Sequence, residues 1–471
     1  MVVMKRFSGS SVREGYPKGQ SGISKNAIFL VPLCGMKVDL NTIGHVHCIG
    51  IGGIGVSAIA RMLRLQGKKV TGSDTSSSPM TVAVRKLGIR VFSGHKASHV
   101  GHADLVVYTK AIPENNPELR AARRRSIPTL SYAEMLGAIS RDRYTVAIAG
   151  THGKTTTTAM IGHIVKRAGL NPTIIVGGVL KDGGTNFIPG KGKYFIVEAC
   201  EYKKSFLDLN PRIVVITNID NDHLDYYKNI GNVRRAFGAF VEKLPPDGYL
   251  VCDPRDANVR PVARRTRARV VRYSHIPLRA RLWVEGAHNR KNAQAALAVA
   301  QILGIPRGAA VRALRSFHGV GRRFEYKGTW KGVRFYDDYA HHPTEVRATL
   351  RAAREHFGVR TKIWCVFQPH LYSRTRLLMK DFAKSFRDAN EVLLADIYAA
   401  REKNDRTTNS RRLAEAMRSH TPAHYLGTFS AIASFLRTRV KKGDVVITMG
   451  AGEAYQVWDL MRARTRAARR G

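Results

Sequence analysis

Acidic residues are scarce in this 471-residue chain: 35 Asp and Glu stand against 78 Lys and Arg, a formal net charge of +43. Such a balance favours an anionic partner: nucleic acid, an acidic membrane or a phosphorylated substrate. The arginines gather at 120–125, at 264–272 and from Arg462 to Arg470, with almost no aromatics among them. Nucleic-acid surfaces interleave aromatics for stacking, so these clusters read as solvated faces and no specific nucleic acid is expected. Cysteine is sparse as well. Cys34, Cys48, Cys200, Cys252 and Cys365 are odd in number, widely spaced and form no C-x-x-C pair. This argues against a disulfide framework or a zinc site and fits free thiols in a reducing cytoplasm. No apolar run approaches the roughly 18 residues that cross a bilayer, so no membrane span is expected. Against these absences, 44% of residues are apolar, which excludes a mainly disordered chain. At about 150 residues per domain, the length favours about three domains.

Residues 1–35 differ from the rest, with Ser, Gly, Lys and Arg around one acid, Glu14, and a short apolar run at 27–34. They are expected to be a disordered extension; an organelle transit peptide and a start at Met36 are the alternatives. From His45 onward, strand-like and helix-like stretches alternate. Strands are expected at His45–Ile49, Lys69–Thr71, Leu105–Thr109, Val146–Ala149, Tyr194–Val197, Ile213–Thr217, Lys362–Phe367, Glu391–Ala395 and Val445–Met449. That alternation implies parallel sheets and an α/β fold. Composition shifts before Val146 and near Gly319–Gly332 divide the chain into 36–143, 144–318 and 319–471, each domain-sized.

Two glycine loops carry the chemistry. Gly50-Ile-Gly52-Gly53-Ile-Gly55 follows a strand and opens a helix, a context in which backbone and helix N-terminus hold a pyrophosphate. Asp74 stands about 20 residues on, where a ribose-binding acid belongs, so a dinucleotide or any nucleoside diphosphate fits. The second loop, Gly150-Thr151-His152-Gly153-Lys154-Thr155 followed by Thr156, is more specific. Its amides would cradle phosphates, Lys154 would reach the β/γ-phosphates, and the Thr155 hydroxyl would bind Mg²⁺. It is shorter than a full P-loop, because Ile148 occupies the position of the first glycine. Glu198 and His223, each after a strand, are further Mg²⁺ ligand candidates.

These loops stand in order with Gly72-Ser73-Asp74, Ala111–Pro117, Glu198-Ala-Cys-Glu201, Thr217–His223, Gly286-Ala-His288-Asn289, Asp337–Pro343, Phe367–Arg374 and Met449–Gly452. In that order they resemble the Mur ligases, from about His45 to Gly452. The resemblance implies three α/β domains: a Rossmann-like N-terminal domain for a UDP-sugar, a P-loop ATPase in the centre, and a Rossmann-like C-terminal domain for an amino acid. It implies an ATP- and Mg²⁺-dependent ligase that joins L-alanine to the lactyl carboxylate of UDP-N-acetylmuramate, and it displaces the dinucleotide reading of the first loop. By the same resemblance Gly50, Gly52, Gly53, Gly55, Ser73, Asp74 and His370 serve the UDP-sugar. Lys154 contacts the γ-phosphate, Thr155, Glu198 and His223 surround the metal, and His288, Asn289 and Tyr339 lie near the ATP base and ribose. Arg374, with His341 and His370, receives alanine and orients the sugar carboxylate, and His341 is the candidate base. Leu371 departs from the family pattern, standing where many relatives carry arginine. Ala340 and Cys200 depart too, and the stretch from His223 to Gly286 is short. Three rivals remain: a ligase adding a preformed murein peptide, a folate polyglutamylating ligase, and a basic P-loop protein that binds nucleic acid.

Overall fold

The computed structural model describes residues 38–284, 286–400, 402–403 and 407–467, and the expectation for residues 1–35 lies outside them. The described residues form three sheets. In the first, β1 (His45–Ile49), β2 (Lys69–Asp74), β3 (Arg90–Ser93), β4 (Leu105–Tyr108) and β5 (Thr129–Ser131) are all parallel, in the order β3-β2-β1-β4-β5. The second contains β6 (Tyr144–Ala149), β7 (Thr173–Leu180), β8 (Thr185–Ile188), β9 (Tyr194–Glu198), β10 (Ile213–Ile216), β11 (Tyr249–Cys252) and β12 (Arg269–Arg272). Its order is β12-β11-β10-β6-β9-β7-β8, parallel except for the β7–β8 pair. The third contains β13 (Glu325–Trp330), β14 (Val333–Asp338), β15 (Ile363–Phe367), β16 (Glu391–Ala395), β17 (Ala423–Gly427) and β18 (Val445–Met449). It runs β13-β14-β18-β15-β16-β17 and is parallel apart from the β13–β14 hairpin.

The apolar runs explain why the central strands form where they do. Val146–Ala149 and Ile213–Ile216 are fully buried, with helices on both faces, as a parallel sheet requires. Their order has a consequence for chemistry. β9, β6 and β10 are neighbours, so Glu198 at the end of β9, the Gly150 loop after β6 and the Asn218–His223 segment after β10 meet at one sheet edge. Ligands bind at that carboxyl edge in open α/β sheets. The sequence expectation lacks β3, β5, β7, β8, β11, β12, β13, β14 and β17; among these, β12 carries exposed arginines, β13 is half-exposed, and Gly177-Gly178 interrupts β7. Among the described residues no helix is long and apolar enough to cross a membrane.

Candidate active site

The first loop is closed on itself. The amides of Gly50 and Ile51 both donate to the Ser73 carbonyl, Gly53 donates to Gly50, and Gly52 donates to Asp74 Oδ2 at 2.8 Å. Asp74 therefore braces the loop, a role the spacing did not foresee. The first turn of the helix Ile54–Leu65 keeps its unpaired amides for an anion. Gly55 is required because a Cβ there would lie 2.7 Å from the Tyr132 ring. Behind the loop, the Ser73 hydroxyl donates to Glu118, which is fully buried and accepts from His95 and His99 at 3.0 and 2.8 Å. Burial alone would raise the Glu118 pKa, but His47 and Ser73 beside it, with His95, bring it down to about 2.

The second loop is held by its neighbour strand. Asn218 accepts from the His152 amide at 3.0 Å and donates to the His152 carbonyl at 2.9 Å, and Thr217 donates to the same carbonyl at 2.6 Å. Gly153, with a φ of 81°, turns the chain into the helix Lys154–Arg167, whose first-turn amides face the loop's concave side. Lys154 Nζ donates to the Gly150 and Thr151 carbonyls at 2.6 and 3.0 Å and to Glu201 Oε1 at 3.0 Å. Burial opposes its charge, yet Glu201 more than offsets that and raises the ammonium above its ordinary range.

Of the three residues expected around a metal, Thr155 follows this lysine in its helix, Glu198 ends β9 and His223 follows β10, the two strands that flank β6. Glu198 accepts from the Gly177 amide at 2.9 Å, and a Cβ on Gly178 would come within 3.0 Å of Thr155 Cγ2, so β7 lies along both. His223 Nε2 lies 3.7 Å from Glu201 Oε1. Glu201 is 2% exposed, and its Oε2 has no hydrogen-bond partner. It ends the Glu198–Glu201 motif but was given no role from sequence.

Above the loop, a cavity of about 510 Å³ opens between the second and third sheets, lined by Gly153, Thr156, His288, Asn289, Arg323 and Glu345 among others. That volume suits a nucleotide-sized ligand. His288, its pKa lowered to about 4 by burial first and Arg323 second, is a neutral wall group. Tyr339, expected here, is not among the residues that line the cavity; the guanidinium groups of Arg322 and Arg323 each lie 5.1 Å from its ring centre.

The third sheet clasps the second across this opening. His152 donates to Asp220 Oδ2 at 3.0 Å and to Glu345 Oε1 at 3.2 Å. Burial works against the imidazolium, but the two carboxylates lift its pKa to about 9. His152, Asp220 and His342 bring possible metal-ligand atoms within 4.8 Å of one another. They are already engaged, however: His342 donates to the Asn221 carbonyl and accepts from the Thr344 amide. They read as a clasp. Arg374, 8% exposed, donates to Asp222 Oδ1 at 2.9 Å and contacts His370 Nδ1 at 2.9 Å. Leu371, buried and with a left-handed φ of 71°, adds no second cation beside it. His341 donates Nδ1 to the Tyr339 carbonyl, and burial above all lowers its pKa to about 4. Asp220, Asp222, Glu201 and Glu345 were missed as site residues. The first three lay inside quoted motifs, whereas Glu345 caps its own helix and reaches His152 through a contact between sheets.

Three family models match the chain in succession: "Mur ligase family, catalytic domain" over residues 45–144, "Mur ligase middle domain" over 148–300, and "Mur ligase, glutamate ligase domain" over 322–452. The chain belongs to the Mur ligase family. Mur ligases are ATP-dependent ligases, and the three-domain α/β architecture is that of the family. Among its curated relatives, the UDP-N-acetylmuramate–L-alanine ligase of Alkaliphilus metalliredigens is 41% identical, the match covering 91% of this chain and 99% of that one. The protein of the same name from Clostridium acetobutylicum is 42% identical over the same shares. Among solved structures, the UDP-N-acetylmuramate-alanine ligase of Thermotoga maritima superposes with a TM-score of 0.75 at 27% identity, covering 90% of this chain and 99% of that one.

Proposed function

We propose that this Mur ligase joins L-alanine to the lactyl carboxylate of UDP-N-acetylmuramate at the expense of ATP, in the cytoplasm, as a step of peptidoglycan-precursor synthesis. The observation that carries the reading is the junction at the second loop. There Lys154 is joined through Glu201 to His223, and Arg374 is bridged to the adjacent Asp222, in a chain whose relatives bear that activity in their names. In this reading residues 36–143 bind the UDP-sugar, 144–318 bind ATP and 319–471 receive alanine.

Mg²⁺ fits the residues present. Thr155, Glu198 and His223 would offer two oxygens and a nitrogen, and the orphaned Glu201 Oε2 is the kind of buried acceptor that a hard cation satisfies. When bound, it supplies charge neutralisation at the transferring phosphoryl group. The chain's own groups do the rest. Gly150, Thr151, His152, Gly153, Thr155 and Thr156 shape a cradle for the ATP phosphates, and Lys154 balances charge on the γ-phosphate. His288 and Asn289 border the base and ribose, with Tyr339 beside Arg323. The first loop's glycines, with Ser73 and Asp74, hold the UDP diphosphate, while His370 and Arg374 orient the sugar carboxylate. A carboxylate oxygen then attacks the γ-phosphorus, the bond to the β-phosphate bridge breaks, and ADP leaves an acyl phosphate. The alanine amine attacks that carbonyl and phosphate departs. With a pKa of about 4, His341 is a weak acceptor for the ammonium proton, and it serves better to orient Arg374 and the amine. The clasp at His152 keeps water from the acyl phosphate.

The test is phosphate release from ATP with UDP-N-acetylmuramate, with and without L-alanine, beside Lys154→Ala. Release that needs both substrates and falls about a thousandfold in the variant is expected. Release with a muramyl-type peptide instead of alanine would turn the assignment to a peptide-adding ligase.

A further inference from the structure

Lys154 has three N–H donors, and all three are taken: two by carbonyls of its own loop and one by Glu201. To reach a phosphate it must release at least one. Glu201 is the partner whose loss changes most, since it alone brings a full negative charge against the ammonium. Its backbone is fixed. The Tyr227 hydroxyl and the Lys204 amide both donate to its carbonyl, and Lys203 and Lys204 follow with left-handed φ of 52° and 58°. Its carboxylate is held differently: Oε1 accepts from Lys154 and lies 3.7 Å from His223 Nε2, while Oε2 is buried with no hydrogen-bond partner.

We propose that Glu201 is the keeper of Lys154. In the protein free of cation and nucleotide it masks the ammonium. When a divalent cation enters, the Glu201 carboxylate turns from the ammonium to the cation, and Lys154 is freed for the γ-phosphate of the nucleotide. Glu201 is thus a positioning residue that couples the cation and the phosphates through one side chain. The inference rests on the ATP reading above and adds a residue and a role to it.

Opposite changes at the two ligands distinguish this role from a packing role. ATP affinity in EDTA and Mn²⁺ affinity in the presence of ADP, the latter from the electron paramagnetic resonance of free Mn²⁺, are measured for wild type and Glu201→Gln. The variant is expected to bind metal-free ATP about threefold or more tighter, and Mn²⁺ about tenfold more weakly, with the coupling between the two reduced. Both affinities weakened together, or both unchanged, would overturn the role. Wild-type protein that binds neither ATP nor Mn²⁺ would instead overturn the ATP reading. A second measurement needs no variant: acetic anhydride labelling of wild-type Lys154, read by mass spectrometry, should rise when Mn²⁺ is added without nucleotide. Labelling that stays level or falls would contradict the release of Lys154.

Discussion

The two glycine loops share a strand–glycine–helix plan and differ in what surrounds them. The first spends its amides internally on Ser73 and Asp74, and its nearest buried charge, Glu118, is paired behind it. The second is gripped from outside by Thr217 and Asn218, and it keeps a lysine and two glutamates beside its concave face. A self-closed loop suits a substrate that is held and released unchanged. A loop strung between a lysine and acids suits one whose phosphate is transferred, where charge must move during the reaction. The motif supplies the cradle, and the neighbouring strand decides what the cradle does.

Breaking each loop at a glycine that a Cβ would crowd exposes this difference most strongly. At Gly150, with a φ of 131°, a Cβ would lie 2.0 Å from Thr217 Oγ1, so Gly150→Ala should cost about 3 kcal/mol or more and abolish ATP binding. At Gly55 the clash is with a ring edge that can shift, and Gly55→Ala should cost about 1–3 kcal/mol and leave ATP binding in place. Denaturant unfolding and nucleotide titration of the two variants check the order.

A subtler cut is Asp74→Asn, which weakens the acceptor of the Gly52 amide. It should raise the KM for the UDP-sugar about tenfold while leaving the KM for ATP unchanged. Equal effects on both substrates would erase the division of labour between the loops.

The smallest effect is on pH, and it separates the loops by sign. The Glu118 pKa is depressed to about 2, so the stability it lends the first loop is present above the ordinary 4.5 and is lost as pH falls toward 2. The His152 pKa is raised to about 9, so its clasp is fully present below 6.5 and is lost as pH rises through 9. Melting curves of Glu118→Gln should flatten on the acid side and those of His152→Gln on the alkaline side.

Much of this was legible because the signals were local. Val146–Ala149 is apolar and runs straight into a glycine and a lysine, so strand, loop and helix could be read from consecutive residues. The strands β12 and β13 were not legible, since Arg269–Arg272 and Glu325–Trp330 alternate with solvent rather than with a core. The site divided the same way. Lys154, Glu198 and His223 were found at strand ends, and they do gather at one sheet edge because β9, β6 and β10 are adjacent. Glu345 acquires its contact with His152 only when the third sheet docks on the second, which no spacing encodes. Tyr339 was placed at the nucleotide by its motif, and its ring lies 5.1 Å from the guanidinium of Arg323, which lines the cavity.

In the proposed reaction Lys154 serves transfer of a phosphoryl group to the lactyl carboxylate. UDP-N-acetylmuramate labelled with ¹⁸O in that carboxylate, turned over with ATP and L-alanine, tests it most directly. The account predicts that the released phosphate carries one labelled oxygen, because the bridging oxygen of the acyl phosphate leaves with it. Unlabelled phosphate formed at the rate of amide formation would contradict it.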